Sequence, residues 1–460
     1  TISGSAGEEN PDGKALPRKL TVTPAFAKVS PIVTYTHAEQ GFNDFKRQPL
    51  LMTMITPCGP VMATGDVNKD GLDDIFVGGT EGNPGKLFLQ NAQGQFTETA
   101  NQFSAQFTDA DGLFIDTDQD GDKDLYVVSG GYNDYAPKDK ALQDRLYIND
   151  GSGHFSVSTS SLPEMLVSKS SVASADFDHD NDLDLFVGGR VIPGRYPETP
   201  ESFLLRNNGG TFQNIAGETL SRPGMVTDAV WVDLNKDGWE DLMVVGEFMP
   251  IEVFINVKGK KFQRETNQYF DRPLKGLWNR MQTFDFDRDG DQDVVVGNLG
   301  LNTQLHASAE EPIALVYKDF DKNGSVDPIL TYFIQGKSYP FASRDELLDQ
   351  LYGMRSRFTS YDSYANARLN NIFSSSDLKD AGEWQATELS TVYLENAGDK
   401  FEIRPLPSQA QFAPVFAMAT VDYNGDGNMD LILGGNQSSI RIRMGVIDAN
   451  FGQLFEGDGK

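Results

Sequence analysis

One stretch of nine residues, Asp66-Val-Asn68-Lys-Asp70-Gly71-Leu72-Asp-Asp74, constrains this chain more than any other feature, because the same pattern recurs six more times. Its side-chain oxygens fall at positions 1, 3, 5 and 9 with glycine at position 6. Oxygen-only ligands at alternating positions are what a loop wrapped round a hard cation requires, and the glycine supplies the sharp turn. The opening matches an EF-hand loop, but position 12 is Val77 rather than a bidentate Glu, and the residues after Asp74 read as a short buried strand. The loop is therefore closed by the Asp at position 9 and joins two strands.

The candidate metal ligands of the first loop are Asp66, Asn68, Asp70, Leu72 and Asp74, and those of the second are Asp116, Asp118, Asp120, Asp122 and Asp124. The third and fourth loops supply Asp176, Asp178, Asp180, Asp182 and Asp184, then Asp233, Asn235, Asp237, Trp239 and Asp241. The fifth supplies Asp285, Asp287, Asp289, Asp291 and Asp293, and the sixth Asp319, Asp321, Asn323, Ser325 and Asp327. The seventh supplies Asp422, Asn424, Asp426, Asn428 and Asp430. Up to seven Ca²⁺ are expected; Mg²⁺ is disfavoured because it wants a smaller octahedral shell and keeps its waters.

The first five loops start 50, 60, 57 and 52 residues apart, which is room for four short strands and their turns. A small apolar strand enters each loop and a β-branched strand leaves it, as in Leu125-Tyr-Val-Val128 and Val294-Val-Val296. A hairpin with an Asn/Gly turn follows, as in Leu146-Tyr-Ile-Asn-Asp-Gly-Ser-Gly153-His-Phe155. Four antiparallel strands with a cation loop between the first and second describe a propeller blade. The chain therefore reads as all-β, a seven-bladed β-propeller with six blades as the alternative.

The net charge of −28 argues against nucleic acid or an anionic membrane surface as partner. Much of that acidity is concentrated: 27 Asp carboxylates occupy the odd positions of the seven loops, and seven Ca²⁺ would halve the net charge. Without metal these clusters should repel one another and loosen the fold. Cys58 is the single cysteine, so no intrachain disulfide forms, and no run of 18 apolar residues exists to insert in a membrane. Residues 1–23 read as a polar linker, and the chain as part of a larger surface protein. Loops of this kind fill at extracellular calcium levels, which points to the extracellular space, the cell surface or the periplasm.

Asp-x-Asp/Asn-x-Asp-Gly-x-x-Asp followed by Leu-x-Val-Gly-Gly resembles the FG-GAP/VCBS repeats of integrin α-subunit propellers and of the bacterial cartilage-acidic-protein-like family. Phe42-Asn-Asp-Phe-Lys-Arg-Gln-Pro-Leu50, Gly297-Asn-Leu-Gly-Leu-Asn302 and Tyr339-Pro-Phe-Ala-Ser-Arg-Asp-Glu-Leu348 are similar to the bacterial surface versions in particular. The resemblance spans residues 24–460 and implies a calcium-bearing propeller on secreted or surface proteins, without fixing an activity.

The rhythm then breaks. The sixth loop starts 34 residues after the fifth, so it is expected in the third-to-fourth-strand turn of blade 5, which puts all seven loops on one face. Ser343-Arg-Asp-Glu346 is a capping box opening a helix, and a second helix is expected from Ser360 to Phe373, together a helical insertion over 343–375. Val392-Tyr-Leu-Glu-Asn-Ala-Gly-Asp-Lys-Phe401 resumes strand grammar as a sixth blade without a loop of its own. The C-terminal Phe451-Gly-Gln-Leu-Phe ends on a third strand, while Pro24-Ala-Phe26-Ala-Lys-Val-Ser30 looks like a fourth, so residues 24–30 are expected to close the ring.

Enzyme signatures are scarce. His37, His154, His179 and His306 are scattered, and no nucleophile elbow, zinc-protease or phosphate-loop motif is present. The connections between second and third strands carry Tyr132, Asn133 and Tyr135; Arg190, Arg195 and Tyr196; Asn298 and Asn302; and Asn436, Arg441 and Arg443. These converge on the face opposite the loops, and their composition suits sugars, carboxylates or a peptide. The expected role is a binding or scaffolding module for a glycan or protein partner; the alternative is a polysaccharide lyase or hydrolase on a propeller scaffold.

Overall fold

The computed structural model describes residues 33–38, 41–56, 59–100, 103–132 and 134–459. The expected closing strand at 24–30, Asn133 and Cys58 lie outside the described residues.

Three four-stranded antiparallel sheets come first, each in simple sequence order. Sheet 1 runs Met62–Gly65, Asp74–Val77, Lys86–Gln90 and Phe96–Glu98. Sheet 2 begins with Asp109–Ile115 and Asp124–Ser129, and sheet 3 with Ser168–Ala175 and Asp184–Val191. Sheet 4 begins with Met225–Val232 and Asp241–Pro250, and gains a fifth strand, Lys275–Leu277. The first strands of successive sheets lie against one another from sheet 1 through to the last sheet, Ala417–Val421, Asp430–Gly434 and Gln453–Phe455.

The second strands are apolar through their middles because both of their faces are covered there. With a side-chain period of two, Leu125 and Val127 pack with Ala63, Phe76 and Leu87 of sheet 1, while Tyr126 and Val128 pack with Leu185, Val187 and Phe203 of sheet 3. The same sharing joins sheets 3 and 4 around Phe186 and Phe254, and sheet 4 to sheet 5, which begins with Arg280–Phe284 and Asp293–Gly297, around Val245 and Val294. Val295 of sheet 5 meets Val415, just ahead of the last sheet, and Leu433 within it. The result is a propeller-like all-β body whose core is a series of intersheet seams.

Two expectations about the second half are corrected. Val392–Asn396 and Phe401–Pro405 are not a separate blade: they are the third and fourth strands of sheet 5, paired onto Asp293–Gly297. The sixth loop is not in a turn of that sheet either. It joins Ile313–Lys318 to Asp327–Ile334 within a separate four-stranded sheet, completed by Lys337–Pro340 and Gly382–Ala386 and inserted between the second and third strands of sheet 5. The hairpin of sheet 5 is displaced by nearly a hundred residues, so local spacing could not assign it.

The inserted sheet packs on the face opposite the other six loops, where Ile313, Leu315, Leu330 and Phe341 share a core with Tyr132, Tyr196, Phe248 and Ile440. The capping box forms as expected: Ser343 Oγ accepts from Glu346 N and Glu346 Oε2 accepts from Ser343 N at 2.7 Å, opening Arg344–Gln350. In place of the second expected helix stand two single-turn pieces, Tyr361–Ala365 and Leu369–Ile372, with a third, Ser375–Leu378, beyond it; the Ser360 and Ser374 side chains cap the first and third, and the second has no side-chain cap.

Candidate functional site

The loops share one geometry. In the first, Asp66 Oδ2 accepts from Gly71 N at 2.9 Å, Asn68 Oδ1 from Asp70 N at 3.1 Å and Asp70 Oδ1 from Leu72 N at 2.9 Å. Positions 4 and 6 are left-handed, with φ of 62° at Lys69 and 83° at Gly71, which is why position 6 is Gly, or Asn at Asn181. These amide donors hold the Asp66 carboxyl below its ordinary pKa despite partial desolvation.

Position 9 has a second task. Asp74 is fully buried, and its Oδ1 accepts from Gln90 N at 2.8 Å, at the end of the third strand. Asp124, Asp184 and Asp241 accept from Asn149, Asn207 and Asn256 N at 2.9, 2.8 and 2.7 Å. Asp293 accepts from Asn396 N at 2.9 Å, across the whole insertion, and Asp430 from Gly457 N at 3.0 Å. Asp327 differs, its carboxylate being met by the Gln350 side chain at 2.6 Å. Burial pushes Asp184 and Asp241 up to about 7 and Asp327 up to about 6, with neighbouring loop carboxylates adding to the rise.

Four of the loops bring carboxylate oxygens within 4.8 Å of one another: Asp116, Asp118 and Asp120; Asp176, Asp178 and Asp184; Asp285, Asp287 and Asp289; Asp319, Asp321 and Asp327. In three of these, buried oxygens lack any hydrogen-bond partner, namely Asp116 Oδ1, Asp178 Oδ1, Asp184 Oδ2 and Asp285 Oδ1. Unpaired buried anionic oxygens crowded together are costly unless a cation takes them. These acidic clusters fit a divalent metal and could hold one.

The opposite ends of the sheets surround a cavity of about 560 Å³. Pro60, Ala110, Ser168, Thr227 and Asn279 line it where the first strands of sheets 1 to 5 begin, and Ala417 where that of the last sheet begins. Arg190, Glu247, Asn436, Gln437 and Ser438 add polar groups, and Phe416 an exposed ring.

Of the residues expected on this face, Arg190 and Asn436 line the cavity. Arg190 is held by Glu247 at 2.6 Å, and Asn436 exchanges hydrogen bonds with Asn450 at 2.8 and 3.1 Å. Tyr132, Tyr135 and Tyr196 are buried; Tyr196 Oη donates to Glu247 at 3.1 Å, and Tyr135 Oη to Glu81 at 3.4 Å. Asn298 is buried too, donating to Glu388 O at 3.0 Å and accepting from Leu277 N and Leu299 N at 3.1 and 2.8 Å. Arg195 pairs with Glu198 at 2.5 Å, and exposed Asn302 donates to Phe412 O at 3.0 Å. Arg441 donates to Leu51 O at 2.9 Å and Arg443 to Phe341 O, both beside Glu346.

The segment that wires several of these together was not read as functional. Gln48, fully buried, accepts from Tyr132 Oη and from Tyr196 N at 3.2 Å, and donates to Tyr196 O at 3.0 Å and Val326 O at 2.8 Å. Five residues on, Thr53 bridges to Ile440 beside the last sheet, and Met54 N donates to Ser439 O at 2.8 Å. The Val326 contact places the sixth loop on this face, not with the other six. Glu247 had a legible signal: it stands after Val-Val-Gly, where sheets 1 and 3 have a second glycine, Gly79 and Gly189. At Gly189 a Cβ would sit 2.1 Å from Glu201 O, whereas Glu247 turns its side chain to the cavity.

Among solved structures, the chain is similar to an Agrocybe aegerita lectin that recognises non-reducing terminal N-acetylglucosamine, at 14% identity and a TM-score of 0.43 over 89% of this chain and 82% of that one. It is similar to the V. cholerae biofilm matrix protein at 11% identity and 0.33, over 89% and 81% of the two chains. A Bifidobacterium bifidum exo-β-1,3-galactanase gives 7% and 0.31 over 64% and 97%. At these scores none of the likenesses bears on ligand or activity. No curated protein matches the chain. The FG-GAP-like repeat family model matches residues 66–127, 116–187 and 233–296, each beginning at position 1 of a loop. The chain thus carries FG-GAP-like repeats in a propeller-like all-β frame.

Proposed function

We propose that this is a calcium-stabilised extracellular binding module, a propeller that takes a glycan in the cavity opposite six of its seven calcium loops. The observation that carries the reading is that cavity itself, about 560 Å³, with polar groups arriving from sheets that share no sequence neighbourhood. That volume falls in the usual range for a small-ligand site. Asn279 and Gln437 offer amides, Ser438 a hydroxyl and Phe416 a ring face for the apolar side of a sugar. Those six loops then serve as rigid staples at the far end.

A polysaccharide hydrolase uses two carboxyls roughly 5–9.5 Å apart. Glu247 is the single carboxylate among the described lining residues, and Arg190 and Tyr196 already hold it. This favours binding over turnover, and over a lyase by the same economy of acid–base groups. A glycan array in calcium, coupled to a reducing-end release assay, tests both readings. Binding without new ends is expected, weakened at least tenfold by Asn279→Ala with Gln437→Ala at an unchanged melting temperature. Release of new ends, or undiminished binding by that double variant, overturns the proposal; retention of a protein partner alone would leave the cavity without its glycan.

A further inference from the structure

A second groove, of about 470 Å³, lies on the inserted module, with Arg443 of the C-terminal segment at its flank. One wall is the hairpin Asp327–Ile334 and Lys337–Pro340, in which Tyr332 and Tyr339 are directly paired and so stand on the same face. The other wall is the short turn Tyr361–Ala365, which contributes Tyr361 and Tyr364. Tyr364 is fixed by donation to Ala342 O at 2.9 Å, and Tyr332 by edge contact with Phe341 at 5.4 Å between centroids. Tyr361 is 67% exposed, with the Arg344 guanidinium 5.3 Å from its ring centre.

The charges of this groove are unevenly paired. Arg344 is met by Asp345 at 2.7 Å, and Arg443 lies near Glu346. Lys337, on the hairpin wall, is exposed and has no ion pair or hydrogen bond from its ammonium among the described residues. No Asp or Glu is among the described residues that line the groove, and its other lining charges are Arg344 and Arg443. In a chain of net charge −28, an uncompensated ammonium beside a slot of tyrosine faces is a local reversal of sign.

We infer that this groove is a second binding site, selective for an acidic saccharide of the uronate class. Tyrosine faces accept the C–H surface of a pyranose ring, while Lys337 pairs with the sugar carboxylate and the positive flank of Arg443 assists. A neutral sugar would gain the stacking without the ion pair. The site is independent of the central cavity, sharing no lining residue with it.

The test is calorimetric titration of the full chain, in calcium, with a tetrasaccharide of alternating glucuronate and N-acetylglucosamine and with its carboxyl-reduced, uncharged counterpart. The acidic form should bind at least about tenfold more tightly, an ion pair's contribution, and lose that advantage at high salt. Lys337→Gln should abolish the preference and Tyr339→Ala should weaken both ligands, each at an unchanged melting temperature. The cavity variant Asn279→Ala with Gln437→Ala should bind the acidic form normally. Equal binding of the two sugars, no binding of either, an unaffected Lys337→Gln, or loss of binding in the cavity variant alone would overturn the assignment, as would displacement by a proline-rich peptide that proves the tighter ligand.

Discussion

Asn149 Nδ2 donates to Val67 O at 2.8 Å, joining the third strand of sheet 2 to position 2 of the preceding sheet's loop, 82 residues earlier. The relationship repeats: Asn207 reaches Thr117 O at 2.8 Å, Asn256 reaches Phe177 O at 2.8 Å and Asn396 reaches Leu234 O at 3.4 Å. Each acceptor is position 2 of the loop one sheet back, and each Asn backbone N–H is bound by the Asp at position 9 of its own loop. Loop, third strand and preceding loop are thus one linked unit. Asn149→Ala removes a buried donor and its turn contacts to Gly151 and Gly153, and should cost about 2–3 kcal/mol. Denaturant melts in calcium check this; a change within about 0.5 kcal/mol, as at an ordinary surface site, would refute it.

Gln48 makes the same argument across the opposite face, where one amide serves Tyr132, Tyr196 and Val326. Gln48→Ala would leave several of these groups unpaired in a dry setting, at an expected cost of about 3 kcal/mol, and Gln48→Glu should be no better because it loses the donor. Differential scanning calorimetry distinguishes these from a neutral substitution.

The last sheet has three strands among the described residues, which leaves Gln453–Phe455 with an open side. If residues 24–30 supply its fourth strand, a chain beginning at residue 40 should melt well below the full chain and tend to associate through the exposed edge. Equal melting temperatures for the two chains would count against the closure.

A pH dependence separate from the loops comes from Asp228. Burial, which outweighs the Arg280 guanidinium 3.7 Å away, raises its carboxyl to about 6 from the ordinary 3.8, while its Oδ2 accepts from Met281 N at 2.7 Å. A carboxyl raised on folding adds stability while it is protonated. Its contribution is full below its unfolded pKa near 4 and is lost as pH climbs through about 6, a span of about 3 kcal/mol. Relative to Asp228→Asn, the parent should therefore lose stability between pH 4 and pH 7 in saturating calcium; parallel pH curves for the two proteins would contradict this.

How far the sequence reached depended on whether the determinant was local. The loop pattern, the strand entering and leaving it and the capping box at Ser343 all depend on residues within a turn of one another, and all were legible. Sheet 5 was not, because the mate of Asp293 is Asn396, and nothing between residues 297 and 392 marks the return. The position 9 Asp and the Asn that ends the third strand give the pairing, a rule that only the structure makes visible. On the candidate recognition face, Tyr132, Tyr196 and Asn298 were singled out for their chemistry, yet their polar atoms are engaged within the protein. Glu247 and Asn279 reach the cavity from positions whose meaning depends on which strand ends converge there.

The central claim is that the six Asp loops at the far end of the sheets are calcium staples remote from the ligand. Calorimetric titration of the metal-stripped full chain with Ca²⁺, followed by a thermal melt of each state, tests it most directly. The account predicts several bound Ca²⁺, up to seven, a large rise in melting temperature that Mg²⁺ does not reproduce, and a smaller rise for Asp66→Ala with Asp74→Ala, whose glycan affinity stays nearly that of the parent. No calcium uptake at millimolar concentration, or an equal response to Mg²⁺, would contradict it.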